Sequence, residues 1–484
     1  MDRVKLKSKL LERFPFVPTT DQKTVITHLA AFDDSKTENP LYILKGYAGT
    51  GKTTIISSYI QELRAQKRKF VLMAPTGRAA KVLSQYTGFS AFTIHRRIYN
   101  IQTNSSNQTK IYLTANKSTD TVFVVDEASM IGDNATGNDS FSQRNLLDDL
   151  VKYVFSGTNN RLILIGDTAQ LPPVGLNLSP ALNLTYLKSL YPVTAFSFEM
   201  KEVMRQELDS GILLSATNLR SKLSNNDFEL PLLNKSDFKH DVTKVEDAME
   251  MQELFQEYFY GDNIKESIVV CRSNKRANLF NEQIRNRILQ RESELEGGDL
   301  LMIVKNNYFW LDQKSQAGFM ANGDIVEIIR VIGFHNQYGF KFAEADVRMI
   351  DYPDEKSLRV MLLLDTLYVE KASMDYQEMK KLFEGLQEEF AFLGSKRKIM
   401  DAIKSNPYYN ALQVKFAYAM TCHKTQGGQW PNVFVDQGYL TNDMVNLEYL
   451  RWLYTAFTRA TNKLFLLGFR EDMIELEKNK ASDA

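Results

Sequence analysis

Lys52, Thr53, Asp126 and Glu127 are the residues of this 484-residue chain whose types and neighbours best suit phosphate chemistry. Lys52 and Thr53 close the run Gly46-Tyr47-Ala48-Gly49-Thr50-Gly51-Lys52-Thr53-Thr54, which fits the pattern G-x-x-x-x-G-K-[ST]. Glycines let backbone N–H groups turn inward around phosphate oxygens, and a helix starting there adds its positive end. Lys52 is expected to reach the β- and γ-phosphates, and the Thr53 hydroxyl to hold Mg²⁺. Gly46, Ala48, Gly49, Thr50, Gly51 and Thr54 complete the expected cradle. A second run, Thr121-Val122-Phe123-Val124-Val125, ends in Asp126-Glu127. Unpaired charge is costly at the end of a buried strand, so two adjacent carboxylates point to a task. Beside a phosphate loop, Asp126 is expected to hold Mg²⁺ and Glu127 to orient and deprotonate the attacking water. A nucleoside triphosphate and Mg²⁺ are therefore the expected ligands.

These residues need a sheet to position them. Leu41-Tyr42-Ile43-Leu44 leads into the glycine loop, and Thr54–Leu63 behind it is apolar at helical spacing. Phe70–Pro75, Thr121–Val125 and Arg161–Asp167 are further apolar runs separated by helical stretches, the signature of a parallel sheet. Ligands bind at the carboxyl ends of such strands. Thr76, Arg78 and Lys81, just past one of them, are placed for phosphates of a nucleic acid, or else form a helix start with solvated charges. Phe92, Thr93, His95, Arg96 and Arg97 follow as a strip of ring, hydroxyl, imidazole and guanidinium suited to a single strand. Gln170, before Leu171-Pro172-Pro173, is placed to sense the γ-phosphate. Gln22 opens a helix that Thr20 or Asp21 can cap, either as a plain first-turn residue or as a reader of the adenine edge. The polar stretch from Asn100 to Asp120, with Lys110–Thr114 as a strand, suggests an inserted hairpin, and Gly132 to Asn145 a loop.

Composition sets outer bounds. The length implies two to four domains. The chain is 44% hydrophobic and 24% charged, as globular proteins are, with 59 basic and 59 acidic residues. A neutral total leaves nucleic acid open as a partner, since a basic channel can be balanced elsewhere. Two cysteines, Cys271 and Cys422, offer neither a disulfide framework nor zinc spacing. No apolar run nears the roughly 20 residues of a membrane span. A soluble cytoplasmic protein, of bacterial or phage type and without membrane contact, is expected.

The series GYAGTGKTT, APTGRAAK, TIHRRIY, VVDEAS and IGDTAQLPPV, in that order, resembles superfamily 1 helicases, in the RecD-like, Dda-like and Pif-family (1B) branch. The resemblance extends further along the chain. Glu202-Val203-Met204-Arg205-Gln206 is similar to the family's short arginine motif, which implies that Arg205 faces the γ-phosphate. Ser267–Asn274 resembles the opening of a second RecA-like domain. Tyr418–Trp430 resembles the motif that couples nucleotide to DNA, implying contacts from His423, Lys424, Thr425 and Gln426. Tyr454-Thr455-Ala456-Phe457-Thr458-Arg459-Ala460 resembles the motif whose arginine finger would be Arg459.

The implied fold is α/β: two RecA-like P-loop domains with parallel sheets, a small hairpin insertion in the first and an SH3-like β-barrel insertion in the second. Expected boundaries are 1–90 and 119–198 for the first domain, 91–118 for the hairpin, 199–324 and 412–484 for the second domain, and 325–411 for the barrel. Met379, Leu382, Phe383, Leu386, Phe390 and Leu393 add a helical apolar face expected to pack on that barrel. The implied function is an ATP-dependent DNA helicase, a monomer moving five-prime to three-prime on single-stranded DNA. It would split forked duplex DNA with the hairpin as a wedge, with possible partners in replication, repair or recombination. The alternative is a DNA-dependent translocase subunit of a larger complex that does not itself unwind.

Overall fold

The computed structural model describes residues 3–103, 109–133, 144–204, 209–311, 315, 317–371 and 373–475, with 101–103, 109, 110 and 475 by backbone alone. Arg205, and most of the loop expected over 132–145, lie outside the described residues.

The strand Pro40–Gly46 carries the glycine loop at its carboxyl end and lies inside a six-stranded parallel sheet. Across that sheet the order is Ala91–Thr93, Lys69–Ala74, Thr121–Val125, Arg161–Gly166, Pro40–Gly46, Thr194–Met200. Alternate side chains of the first strand enter opposite faces, as the strand period of two requires. Tyr42 and Leu44 join a core with the helices Arg3–Arg13, Thr20–Asp34 and Lys52–Ala65. Leu41 and Ile43 join another with Leu146–Phe155 and Leu184–Leu190. Burial on both faces is why these strands read as unbroken apolar runs.

Two local expectations change. The helix Thr20–Asp34 is capped by Thr19, not by Thr20 or Asp21. Gln22 sits three residues past Thr19 and closes a reciprocal capping box with it. Asp21 instead accepts the N–H groups of Lys201 and Glu202 at 2.6 and 2.9 Å. Ala91–Thr93, expected at the foot of the hairpin, is an edge strand of the large sheet. The hairpin itself is the antiparallel pair Tyr99–Thr103 and Thr109–Leu113. Its residues Ile111 and Leu113 rest on the first-domain core, while Tyr112 is exposed.

The second α/β unit has the parallel order Val242–Lys244, Ala460–Leu467, Trp430–Asp436, Ser267–Cys271, Ala419–Thr421. The inserted barrel is closed by Leu300–Ile303, Ile325–Gln337, Phe340–Met349, Leu358–Leu363 and Leu412–Phe416. It therefore takes strands on both sides of the expected 325–411. Leu300–Ile303 pairs antiparallel with Ile325–Gln337 and with Leu412–Phe416. All four of its residues are buried, so it has no alternation to mark it as barrel rather than sheet. The helices Tyr376–Glu389 and Lys396–Ser405 pack on the barrel's outer face, where Leu382, Leu386 and Ile403 meet Phe340, Phe342 and Leu363. Among the described residues no helix is long and apolar enough to cross a membrane.

Candidate functional site

Gly49 and Gly51 hold φ angles of +74° and +82°, a region open to glycine. A Cβ on Gly51 would stand 2.6 Å from Gln22 Nε2. Gln22 is buried, and its amide braces the loop: Nε2 donates to the Thr50 carbonyl at 3.1 Å, and Oε1 accepts the Thr19 N–H at 2.9 Å. It is not among the residues that line the cleft. The Thr50 hydroxyl donates to the Tyr47 carbonyl at 2.8 Å, and Met204 N–H donates to the Gly49 carbonyl at 3.1 Å. Lys52 Nζ donates to the carbonyls of Gly46 and Tyr47 at 2.6 and 2.8 Å.

Asp126 follows the central strand directly, its N–H bonded to the Met73 carbonyl. Glu127 turns away with φ +53°, unusual for a residue with a Cβ, and its N–H donates to Asp126 Oδ1 at 2.9 Å. Burial, then the charge of Glu127, pushes the Asp126 carboxyl up to about 7. Lys52 and the Glu127 N–H act against that rise. A divalent cation fits this pair, since it would keep Asp126 ionised and Thr53 lines the same cleft. Among the described residues no cluster of three metal-binding side chains exists. Mg²⁺ matches such a site because it takes one or two carboxylates with phosphate oxygens and water.

The cleft, about 360 Å³, has walls from both α/β units. Ala48, Gly49, Gly51, Lys52, Thr53 and Thr54 line one side, together with Asp126, Glu127 and Gln170. Gly46 and Thr50 lie beneath the loop. Arg459 comes from the opposite wall, buried to 2% exposure. Its guanidinium donates to the carbonyls of Thr455 (3.0 Å) and Gly428 (3.1 Å) and to the Thr458 hydroxyl (3.2 Å). No carboxylate pairs with it among the described residues, so its charge is free to meet an anion in the cleft. Gln170 is buried too, and its Oε1 has no hydrogen-bond partner among the described residues.

One group behind this cleft gave no chemical signal in the sequence. Tyr454, on the helix Leu447–Phe457 of the second unit, accepts the Ala48 N–H at 2.8 Å and donates to Asp167 Oδ2 at 2.7 Å. Nearby, Leu171 N–H donates to Thr455 Oγ1 at 2.9 Å, and Gln426 Nε2 donates to the Leu171 carbonyl at 2.5 Å. The second unit thus grips both the glycine loop and the Gln170 loop. A tyrosine on a mostly buried helix reads as core, and only the packing shows where its hydroxyl goes.

The residues expected on DNA divide. Thr76 caps the helix Gly77–Thr87. Arg78 lies 3.7 Å over the Trp430 ring and donates to the Gln429 carbonyl at 3.2 Å. Lys81 donates to the Ile350 carbonyl at 3.2 Å and pairs with Asp351 at 3.5 Å. This helix end is therefore a junction of first unit, second unit and barrel. Phe92 lies under Arg96, and His95 meets Phe319 edge-on. His423 lines a second cavity with Pro172, Pro173 and Arg451, its imidazole held below its usual range by burial. Lys424 donates to Asn322 Oδ1 at 2.5 Å, and burial lowers its ammonium to about 8. Thr93 and Thr425 face inward. Thr93 is buried as the cap of Ile94–Ile98. Thr425 has no exposed surface and bonds the Cys422 carbonyl. Gln426, also buried, joins the two units instead of facing solvent.

Residues 18–230 match the family model described as an AAA domain, and residues 416–467 that of the UvrD-like helicase C-terminal domain. An uncharacterized protein of Methanocaldococcus jannaschii is 25% identical over 483 residues, covering 91% of this chain and 38% of that one. The ATP-dependent RecD2 DNA helicase of Deinococcus radiodurans is 30% identical over 204 residues, covering 42% of this chain and 25% of that one. The ATP-dependent DNA helicase Dda of Enterobacteria phage T4 is 24% identical over 449 residues, covering 87% and 93% respectively. The chain thus spans well under half the length of the first two relatives and nearly all of the third. With the two family models seated on the two α/β units, in the order the motifs run, the chain belongs to the superfamily 1 helicases, in their RecD-like, Dda-like and Pif-family branch.

Proposed function

We propose that this chain hydrolyses ATP to move along single-stranded DNA from five-prime to three-prime and to unwind forked duplex. The observation that carries the reading is the cleft built from two α/β units, with Lys52, Asp126 and Glu127 on one wall and Arg459 on the other. Lys52 and the loop N–H groups bind the phosphates of ATP. Glu127 takes the proton of the attacking water. Arg459 neutralises charge spreading over the transferred phosphoryl group from the opposite wall. Thr53 and Asp126 would hold Mg²⁺, which would supply charge neutralisation at the phosphate oxygens. Gln170 and Arg205 complete the γ-phosphate sensors. The Tyr454 bridge supports a mechanical link, since a shift of the loop on phosphate binding would act on the helix that leads into Arg459.

The strand lies across both units past His95, His423 and Lys424, held by phosphate contacts that carry no sequence preference. The junction at Thr76, Arg78 and Lys81 would open to meet it. The hairpin stands as the wedge, and polarity follows the branch. The test is ATP turnover with and without single-stranded DNA, then forked duplexes with opposite overhangs. Strong stimulation and unwinding from a five-prime overhang are expected. A flat response to DNA would overturn the motor reading, and stimulation without unwinding would leave a translocase.

A further inference from the structure

We infer that the barrel and its helical extension together build a second single-stranded DNA subsite, beyond the two α/β units, in a polar cavity of about 380 Å³. The inference rests on the motor reading above. Lys305 and Phe309 enter the cavity from the barrel side, and Lys404 and Tyr409 from the end of the extension. Among the described residues neither lysine has an ion-pair or hydrogen-bond partner for its ammonium group. The cavity lining holds two lysines and no acidic residue, in a chain with as many acids as bases. That asymmetry favours an anion. The rings favour a base beside it: Phe309 is 40% exposed, and the Tyr409 hydroxyl has no partner among the described residues. Cations interleaved with accessible rings are what a single strand needs, phosphate on one and base on the other.

The cavity is built rather than incidental. The Asn410 carbonyl accepts both Asn307 Nδ2 and Trp310 Nε1 at 2.8 Å, tying the barrel loop to the extension. Asn410 Nδ2 donates at 2.8 Å to the Lys404 and Asn406 carbonyls. Asn307 also pairs with Met320 in both directions through the backbone. A loop fixed this way loses little freedom on binding. The cavity is also joined to the expected strand contacts. Lys424 bonds Asn322, and Asn322 N–H donates at 2.7 Å to Oδ1 of Asn306, which lines the cavity. A strand leaving Lys424 meets this pocket next.

The experiment is fluorescence anisotropy with fluorescein-labelled oligothymidylates of increasing length, at several salt concentrations, on the full chain. The variants are Lys305→Ala/Lys404→Ala and Phe309→Ala, with thermal melting as the check of folding. Short oligomers should bind parent and variants alike. Beyond the length that reaches the pocket, the parent should gain affinity and Phe309→Ala should lose about fivefold or more of that gain. The double lysine variant should lower the salt slope by about 0.7 for each phosphate contact removed. Long oligomers that bind the folded variants as tightly as the parent, with the same slope, overturn the subsite and leave the motor reading standing. A parent that binds no oligothymidylate overturns both.

Discussion

Glu127 occupies a left-handed backbone conformation that few residues with a Cβ adopt, at the point where the chain leaves a fully buried strand. Such strain persists where surrounding structure over-determines it and clusters at working sites. Glu127→Gln keeps shape and loses the base, so ATP binding should survive. Turnover should fall by on the order of 10²- to 10⁴-fold, the usual weight of general base catalysis. Loss of binding in a titration of nucleotide would show instead that the carboxylate is structural. Tyr454 makes a different argument. Tyr454→Phe leaves the Ala48 N–H and one Asp167 oxygen without their partner in a buried place. Each such loss is worth roughly 1–3 kcal/mol. The melting temperature should drop and DNA-stimulated turnover should fall about fivefold or more. Unchanged DNA stimulation would remove Tyr454 from the coupling path.

At the scale of elements, the barrel's hold on the helix Gly77–Thr87 should depend on pH. Asp324 is buried where the barrel meets that helix, and burial first, then Asp351, pushes its carboxyl up to about 7. The Ala321 N–H pulls the other way, and Lys81, Arg78 and Tyr352 stand around the pair. An unfolded aspartate titrates near 3.9. Between those values the folded chain binds the extra proton, so this group makes stability fall as pH rises from about 4 to about 7 and then level off. Its slope cannot exceed about 1.4 kcal/mol per pH unit. Asp324→Asn should flatten the melting temperature in that window relative to the parent, and parallel curves would exclude the assignment. The hairpin carries another prediction. Removing residues 102–117 should spare DNA-stimulated ATP turnover while strand separation on a fork falls severely. Equal loss of both would mean that the hairpin supports the first domain rather than parting strands.

For the whole molecule the decisive feature is that neither unit alone lines the cleft in which the proposed reaction is placed. The two units are stitched across the cleft by Tyr454, Thr455 and Gln426 and at its rim by Arg78 and Arg451, which donates to the Asn177 carbonyl at 2.6 Å. On the proposed mechanism, the charge needed in the transition state would arrive only when the units are together. Arg459→Ala should retain nucleotide binding through the glycine loop and lose about 10³-fold or more in turnover, as arginine fingers do. Single-turnover hydrolysis at the parent rate would place Arg459 outside the chemistry.

The glycine loop and the two acids were legible because their chemistry depends on neighbours in sequence, whereas Arg459 was marked only by its resemblance to a family motif. A loop of six residues and a helix start form one phosphate cradle, and a strand of five apolar residues ending in two acids can only deliver them at its edge. The parallel sheets were legible for the same reason, since burial on both faces leaves unbroken apolar runs. What the sequence left open depends on neighbours in space. Leu300–Ile303 is apolar whether it closes a barrel or lies in a sheet, and only its two antiparallel partners decide. Gln22 reads equally well as a base contact or a plain first-turn residue, and only the fold shows that its amide braces Thr50. Thr425 and Tyr454 sit in recognisable motifs, yet one is sealed from solvent and the other reaches the glycine loop. Local chemistry and period fixed which residues could act. Packing between units, which no spacing along a chain encodes, decided which of them face the same space.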